Sequence, residues 1–423
     1  MKYVKSISLL LSLFVLGFLY IQNTFVYTAD EHNVLWKIRS IDTMKTSRDK
    51  AREKLYRPEY DENIKQELTA IKKAGANYVA VDTPYDNEFL PYLRRWVKLA
   101  RKTRLHVWFR GNWSAWEGWF DYPKNMTPDQ HLAKTSEFIL TYSDLFEDED
   151  IFDSCPECEN AGHWRQPDYN KEYNTFLQKQ RLSNQKTFEK IGKKVHSNIA
   201  SIIGGRAREV LDQKTFDALD NTVAIDHYIH NPSNMGDYIT YFYDKHRTKV
   251  LVSELGAPIP DINGEMSEEE QAQFISQLFE QLYKHKDAVE GANYYVLTLG
   301  TTALLNADYT PRKAYSIVKN YFSPGVVKGK ITNPLGDNLK DVTIKLIDGA
   351  SSTKTDDQGN YILAIPPRST TLFAMDEEYK TKSRHITISE NGKELVQDFV
   401  IDPIKPGLFY KLRLQMKNMQ WHF

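Results

Sequence analysis

The chain has 423 residues, more than one ordinary domain of roughly 100–200 residues, and its 55 Lys+Arg against 56 Asp+Glu leave a net charge of −1. That balance excludes a bulk basic surface for nucleic acid. A mean hydropathy of −0.56 with 41% apolar residues excludes a polytopic membrane protein and a largely disordered chain. Two cysteines cannot build a disulfide framework, while 25 Tyr, 20 Phe and 8 Trp are a heavy aromatic load.

Lys2 and Lys5 precede an apolar run from Ile7 to Ile21. Its length fits a signal peptide better than a membrane span of about 20 residues. Ala29 could close a cleavage site, but Tyr27 is bulky for one. The expectation for residues 1–30 is therefore a signal peptide or an uncleaved anchor through residues 7–27, and an exported chain in either case.

From about Val34 to Phe322, short β-rich runs alternate with amphipathic segments. The runs are Val34–Ile41, Asn77–Asp82, His106–Arg110, Ile151–Cys155, Asn198–Ile203, Thr222–Tyr228, Lys249–Ser253 and Ala292–Leu297. They are rich in Val, Ile, Tyr and Phe, as strands buried on both faces are. Between them Ile64, Leu68 and Ile71 repeat at helical spacing, with Gly75 as a stop. Thr127 with Gln130 and Ser267 with Glu270 read as capping boxes. Eight βα units over residues 31–323 predict an α/β fold, a (β/α)8 TIM barrel. An open doubly wound sheet is the alternative, but no G-x-G-x-x-G turn follows a strand.

In such a barrel the chemistry sits at the C-terminal ends of the strands. Those ends carry Asp82 and Tyr85; Arg110, Asn112, Trp113 and Trp116; Glu157, Glu159 and Asn160, with Trp164 beyond; Asp226, His227 and Tyr228; Glu254; and Tyr295. Two carboxyls at separate strand ends suit cleavage of a glycosidic bond, which needs an acid for the leaving oxygen and a nucleophile or base on the other face. Aromatic rings suit the C–H faces of sugars, and Arg, Asn and His suit their hydroxyls. This chemistry needs no cofactor or metal. The expected partner is a carbohydrate, not a nucleic acid.

Phe152-Asp153-Ser154-Cys155-Pro156-Glu157 and Ser253-Glu254-Leu255-Gly256 resemble the strand-four and strand-seven motifs of the clan A glycoside hydrolases, the family 5 cellulase and mannanase type. The resemblance covers roughly residues 34–323. It implies a retaining enzyme with Glu157 as acid/base and Glu254 as nucleophile, and Tyr228 is similar to the strand-six Tyr that bonds the nucleophile. Pro156 stands where the family has Asn, so Asn160 or Asn112 would take over the 2-hydroxyl. Arg110 or Arg39 would replace the strand-two Arg, and Tyr294 or Tyr295 the strand-eight Trp. Glu159 is the rival acid/base, two residues on and on the same face of an extended chain.

Cys155 and Cys158 are expected as two reduced thiols near the mouth. A disulfide, or a metal pair completed by His163, are the alternatives. Trp113, Trp116 and Trp119 read either as a packed loop or as a sugar platform.

After Ser323-Pro324-Gly325 the pattern turns to period two: Val326–Ile331, Val342–Ile347, Tyr361–Ile365, Thr371–Ala374, His385–Ile388 and Leu395–Ile401. This predicts an antiparallel β-sandwich over 324–403. Gly329-Lys330-Ile331, Val342-Thr343-Ile344, Thr355–Tyr361 and Glu378-Tyr379 resemble the carboxypeptidase regulatory-like, transthyretin-like domain. That resemblance implies a spacer or a contact to cell wall or glycan. The tail, residues 404–423, is basic and aromatic and carries no assignment. The functions weighed are a glycoside hydrolase, a sugar-binding surface protein on the same barrel, and a metal-dependent hydrolase.

Overall fold

The computed structural model describes residues 34–160, 164 and 169–419. Residues 1–30, expected as a signal peptide or anchor, and His163 lie outside the described residues. Eight parallel strands form one sheet in the order β4-β3-β2-β1-β8-β7-β6-β5. They are β1 Ile38–Asp42, β2 Tyr78–Val81, β3 His106–Phe109, β4 Ile151–Phe152, β5 Ser201–Ile203, β6 Thr222–Asp226, β7 Lys249–Leu255 and β8 Val289–Tyr294. The seam between β4 and β5 is closed by a parallel bridge, Ile151 to His196. Above it the Asp153 carboxylate accepts from the backbone N–H of Ser201 (3.2 Å) and from its hydroxyl. The eight-strand expectation therefore holds and the sheet closes as a (β/α)8 barrel, with β4 and β5 shorter than their sequence runs.

Strand alternation sorts the residues between two cores. Ile38, Tyr78, Ala80, Trp108, Ile151, Ile199, Ala224 and Leu251 fill the barrel. Their odd-numbered or even-numbered neighbours, such as Ile41, Val79, Val81, Val107 and Phe109, pack outward on the helices. The helices match the spacing: Asp61–Lys73 buries Ile64, Leu68 and Ile71, and both capping boxes form, at Thr127 and at Ser267. Gly75, at φ +87°, lies against the backbone of Phe322, where a Cβ would meet the Phe322 carbonyl at 2.8 Å. The first barrel helix and the last one, Lys313–Phe322, thereby close together.

The C-terminal region is two sheets: β11-β10-β13-β14 is antiparallel throughout, while in β12-β9-β15 the strand β12 runs antiparallel to β9, and β15 and β16 pair with β9 in parallel. Their strands are β9 Gly325–Thr332, β10 Thr343–Leu346, β11 Ser352–Lys354, β12 Asn360–Ile365, β13 Arg368–Met375, β14 Lys382–Ile388, β15 Glu394–Val396 and β16 Phe399–Val400. This fits the expected β-sandwich, with β11 added and the last run split in two. Its apolar face continues the barrel's outer core. Across the join, Arg368 donates to Glu280 at 2.8 and 3.2 Å and lies over the Tyr283 ring at 4.8 Å. Tyr321 donates to the same carboxylate. The tail forms a helix, Leu408–Met419.

Candidate active site

The alternation that buries Ile38, Tyr78, Trp108, Ala224 and Leu251 inside the barrel continues upward into polar residues. Two positions further along each strand stand, or follow from them, Ser40 and Asp42, Ala80 and Asp82, Arg110, Asp226, and Ser253. On β8 the inward series is Gly291, Asn293, Tyr295. The Arg110 guanidinium sits fully buried over the Trp108 ring, 5.7 Å from its centroid. It donates to Glu254 at 2.9 Å, to Asp42 at 3.1 Å and to Asp226 at 3.1 and 3.3 Å. Asn293 donates to Asp42 at 3.2 Å and Ser253 Oγ to Asp226 at 2.6 Å.

Ser253 and Glu254 are adjacent, yet both reach into the mouth. The β6–β7 register shifts between Ile225 and Asp226, so that Asp226 pairs with Glu254. An extra residue in a strand re-aims a side chain in this way. The Tyr228 hydroxyl then donates to the other Glu254 oxygen at 2.6 Å, and Tyr295 stands edge-on to Tyr228 with ring centroids 6.2 Å apart.

Glu157 is held by the turn after β4. Its backbone N–H donates to the Ser201 carbonyl at 2.9 Å, and its φ is +49°. Cys155 and Cys158 are joined by a disulfide, with Cα atoms 5.3 Å apart, so the turn carrying Glu157 is covalently closed. This corrects the expectation of reduced thiols and leaves no thiolate pair for a metal. Asn160 donates to Glu157 at 3.1 Å. Burial, reinforced by the negative charge of Glu254 and opposed by Arg110, pushes the Glu157 carboxyl up to about 7.

The turn also separates Glu157 from Glu159, which an extended chain would put on one face. Glu159 points inward, accepting from the Ile203 N–H at 2.6 Å and from the Tyr173 hydroxyl at 3.3 Å. It is 2% exposed, and burial raises it to about 8. Its bonds tie the loop to β5 and the helix Asn170–Lys190; Glu157 is the half-buried one.

The other carboxyls carry the cost of crowding. Burial, against the pull of Arg110, pushes Asp42 up to about 6. Asp226 is raised by burial and by Glu254. Asp82 is raised by burial and by Asp42, and neither of its carboxyl oxygens has a hydrogen-bond partner among the described residues. Such a group folds neutral, since an unpaired buried carboxylate is costly. His227 leans on Tyr238, 3.8 Å between centroids, and burial lowers it to about 4.

Several expected contacts lie elsewhere. Trp113 and Trp116 are 7% and 1% exposed. Trp116 stacks on Phe176 and packs on Trp164 and His131, while Trp113 meets Tyr85 and Phe138 edge-on. Their faces are core, as is Trp164, and the packed-loop reading describes them. Tyr85 donates to the Asp153 carbonyl and stacks on Phe152, also in the core. Asn112 turns inward: its amide donates to Glu117 at 2.6 Å, and its oxygen accepts from the Trp113 N–H and faces His131. Arg39 serves the opposite end of the barrel, bonding the Trp36 and Gly75 carbonyls. Arg110, Asp82, Asn160, Tyr228 and Tyr295 remain around Glu157 and Glu254, whereas the His227 ring packs on Tyr238 and against Gly204. Asp42, Ser253 and Asn293 were not among the expected site residues; reading Ile38-Ser40-Asp42 as one inward face would have found Asp42.

No protein-family model and no curated protein matches the chain. Solved structures similar to it include a family 5 xyloglucanase from Paenibacillus pabuli in complex with ligand, at 11% identity, covering 61% of this chain and 89% of that one, with a TM-score of 0.45. A GH5_18 protein from Bifidobacterium longum subsp. infantis gives 10%, 71%, 84% and 0.48. A Penicillium canescens endo-1,4-beta-xylanase gives 13%, 70%, 96% and 0.45. At these identities the assignment of the barrel rests on this chain's own strand pairing.

Proposed function

We propose that the chain is an exported retaining glycoside hydrolase that cleaves a β-linked poly- or oligosaccharide. The observation that carries this reading is the contrast between two carboxyls at one mouth. Glu254 accepts from a guanidinium and a phenol. Glu157 is buried beside that charge and pushed up to about 7. A nucleophile and an acid with separated protonation are what double displacement needs. In the first step Glu254 bonds to the anomeric carbon as the glycosidic C–O bond breaks, and Glu157 gives its proton to the leaving oxygen. In the second, Glu157 takes a proton from water, the water oxygen bonds to the anomeric carbon, and the ester to Glu254 breaks. Asn160, beside Glu157, is the candidate for the 2-hydroxyl in place of the family's Asn. Export is supported by the apolar run after Lys2 and Lys5 and by the disulfide, which the cytosol would keep reduced.

A panel of 2-deoxy-2-fluoro aryl β-glycosides tests it. The expected result is a covalent sugar adduct on the peptide containing Glu254, absent in Glu254→Gln. An adduct on Glu157 or Asp226 would reverse the assignment. Pro156, and the engagement of Asn112 with Glu117, favour a second reading, sugar binding without turnover. Failure of the wild type to turn over any aryl β-glycoside or β-glucan, with retained polysaccharide binding, would establish that one instead.

A further inference from the structure

The tail helix Leu408–Met419 presents its apolar side to solvent. Leu408 is 72% exposed, Phe409 84%, Leu412 46%, Met416 55% and Met419 60%. With 3.6 residues per turn these five fall in one arc of about 100°. An ordinary surface helix turns such a stripe toward the core. Here the half-buried side is Tyr410, Leu414 and Lys417. Lys417 Nζ donates to the Pro334 carbonyl at 2.9 Å, and Arg413 lies 3.7 Å from Asp337. The approach to the helix is pinned by a bridge between Tyr379 and Pro403 and by the Ile404 N–H to the Glu378 carbonyl. The sandwich thus holds the helix by its polar side and leaves the apolar stripe outward.

The charge around the stripe indicates what covers it. Residues 403–423 contain Lys405, Lys411, Arg413 and Lys417 and no Asp or Glu, in a chain whose overall net charge is −1. Lys411 and Arg413 flank the stripe on opposite sides. The same stretch carries Phe409, Tyr410, Trp421 and Phe423, residue types that favour the membrane–water interface. A helix of 12 residues is about 18 Å long, too short for a hydrocarbon core of about 30 Å. Among the described residues no helix is long and apolar enough to cross a membrane. An apolar stripe rimmed by cations on a short helix suits a surface that is oily beneath and anionic above.

We infer that the helix Leu408–Met419 is an interfacial membrane-binding element that lies on anionic lipid, with Leu408, Phe409, Leu412, Met416 and Met419 among the acyl chains. The inference is independent of the glycosidase reading. It is tested by hydrogen exchange of the full chain, which reports on this segment separately from the N-terminus. With vesicles of phosphatidylglycerol and phosphatidylcholine in about a 3:7 ratio, amides of Leu408–Met419 exchange at least about tenfold more slowly than without vesicles, and pure phosphatidylcholine gives little of this protection. Salt raised from about 0.1 to 0.5 M removes most of it. Leu412→Glu/Met416→Glu abolishes it and Lys411→Glu weakens it, with the unfolding temperature unchanged, because these three side chains are exposed and Arg413, which meets Asp337, is left in place. Absence of protection, or equal protection by both vesicles, overturns the inference. So does protection that grows with protein concentration in the absence of lipid, which would assign the stripe to a second copy of the chain.

Discussion

Replacing Arg110 with Met removes the guanidinium that Asp42, Asp226 and Glu254 share. The side chain is fully buried, as are those of Asp42 and Asp226. Breaking a buried ion pair by deleting one partner costs about 3–5 kcal/mol. The loss should depend on pH in a defined direction. Without the cation, at least one more carboxyl folds protonated, with its folded-state pKa above its unfolded value of about 4. A group raised in this way contributes stability that is present at low pH and lost as pH rises through the folded-state pKa. One extra proton bound on folding is worth about 1.4 kcal/mol per pH unit. The deficit of Arg110→Met relative to wild type should therefore shrink by about 3 kcal/mol between about pH 7.5 and 5.5. Urea unfolding at four pH values measures it, and Arg110→Met/Asp226→Asn should recover part of the deficit at the higher pH. A deficit of equal size at both ends of the range would refute the reasoning, because Arg110 would then stabilise by packing over Trp108 and not by charge.

If Glu157 is the acid proposed here, kcat/KM should fall as pH rises through about 7, because the acid is spent. Glu157→Gln should lose that limb and still release a dinitrophenolate, which needs no proton; an unchanged limb would move the acid to another residue. Tyr228→Phe removes the hydroxyl that bonds Glu254 at 2.6 Å, a hydrogen bond worth about 1.5–3 kcal/mol, so on the proposed mechanism kcat should fall roughly ten- to hundredfold and the unfolding temperature by a few degrees. The Cys155–Cys158 bridge spans a sequence separation of 3, for which chain entropy gives only about 2 kcal/mol. Reduction should therefore cost little stability but slow turnover, since Glu157 lies inside the closed loop; unchanged turnover would show that the Ser201 bond alone holds it.

Much of the fold is legible because parallel strands buried on both faces must be continuous apolar runs, and Val79, Val107, Ile225 and Val252 are such positions. The capping boxes at Thr127 and Ser267 are local chemistry and read equally well. What the runs hide is the face of each residue. Ending the first strand at Ile41 conceals Asp42, whose inward position follows only from counting two residues at a time from Ile38. The fate of Trp113 and Trp116 is decided by Phe138, Trp164 and Phe176, which approach from later in the chain. A ring that meets them is core; without them it would be a platform, and nothing near Trp116 in sequence distinguishes the two. Glu159 illustrates the same limit. Its separation from Glu157 depends on one left-handed residue, uncommon outside glycine, and on an N–H supplied by Ile203. The strand Ser352–Lys354 is too short and polar to show a period.

On the proposed mechanism, the division of labour between the two glutamates would follow from how donors are distributed at the barrel mouth, more than from either residue's own motif. Arg110 is shared by three carboxyls and acts at longer range on Asp82. Asp82, with no hydrogen-bond donor among the described residues, is raised by burial and by Asp42. Asp226 takes one guanidinium edge and the Ser253 hydroxyl; Asp42 takes Asn293 and the Met44 N–H. Glu254 shares the other guanidinium nitrogen with Asp42 and accepts from the Tyr228 hydroxyl. Glu157 is left with an amide, from Asn160, and with the repulsion of Glu254. The distribution of donors between the two carboxyls is thus set by residues at the ends of β1, β3, β6 and β8 that need never touch a sugar. A barrel that kept both glutamates but lost Arg110 or Tyr228 would leave Glu254 with one of its two donors, and the contrast with Glu157 on which the proposed mechanism rests would narrow.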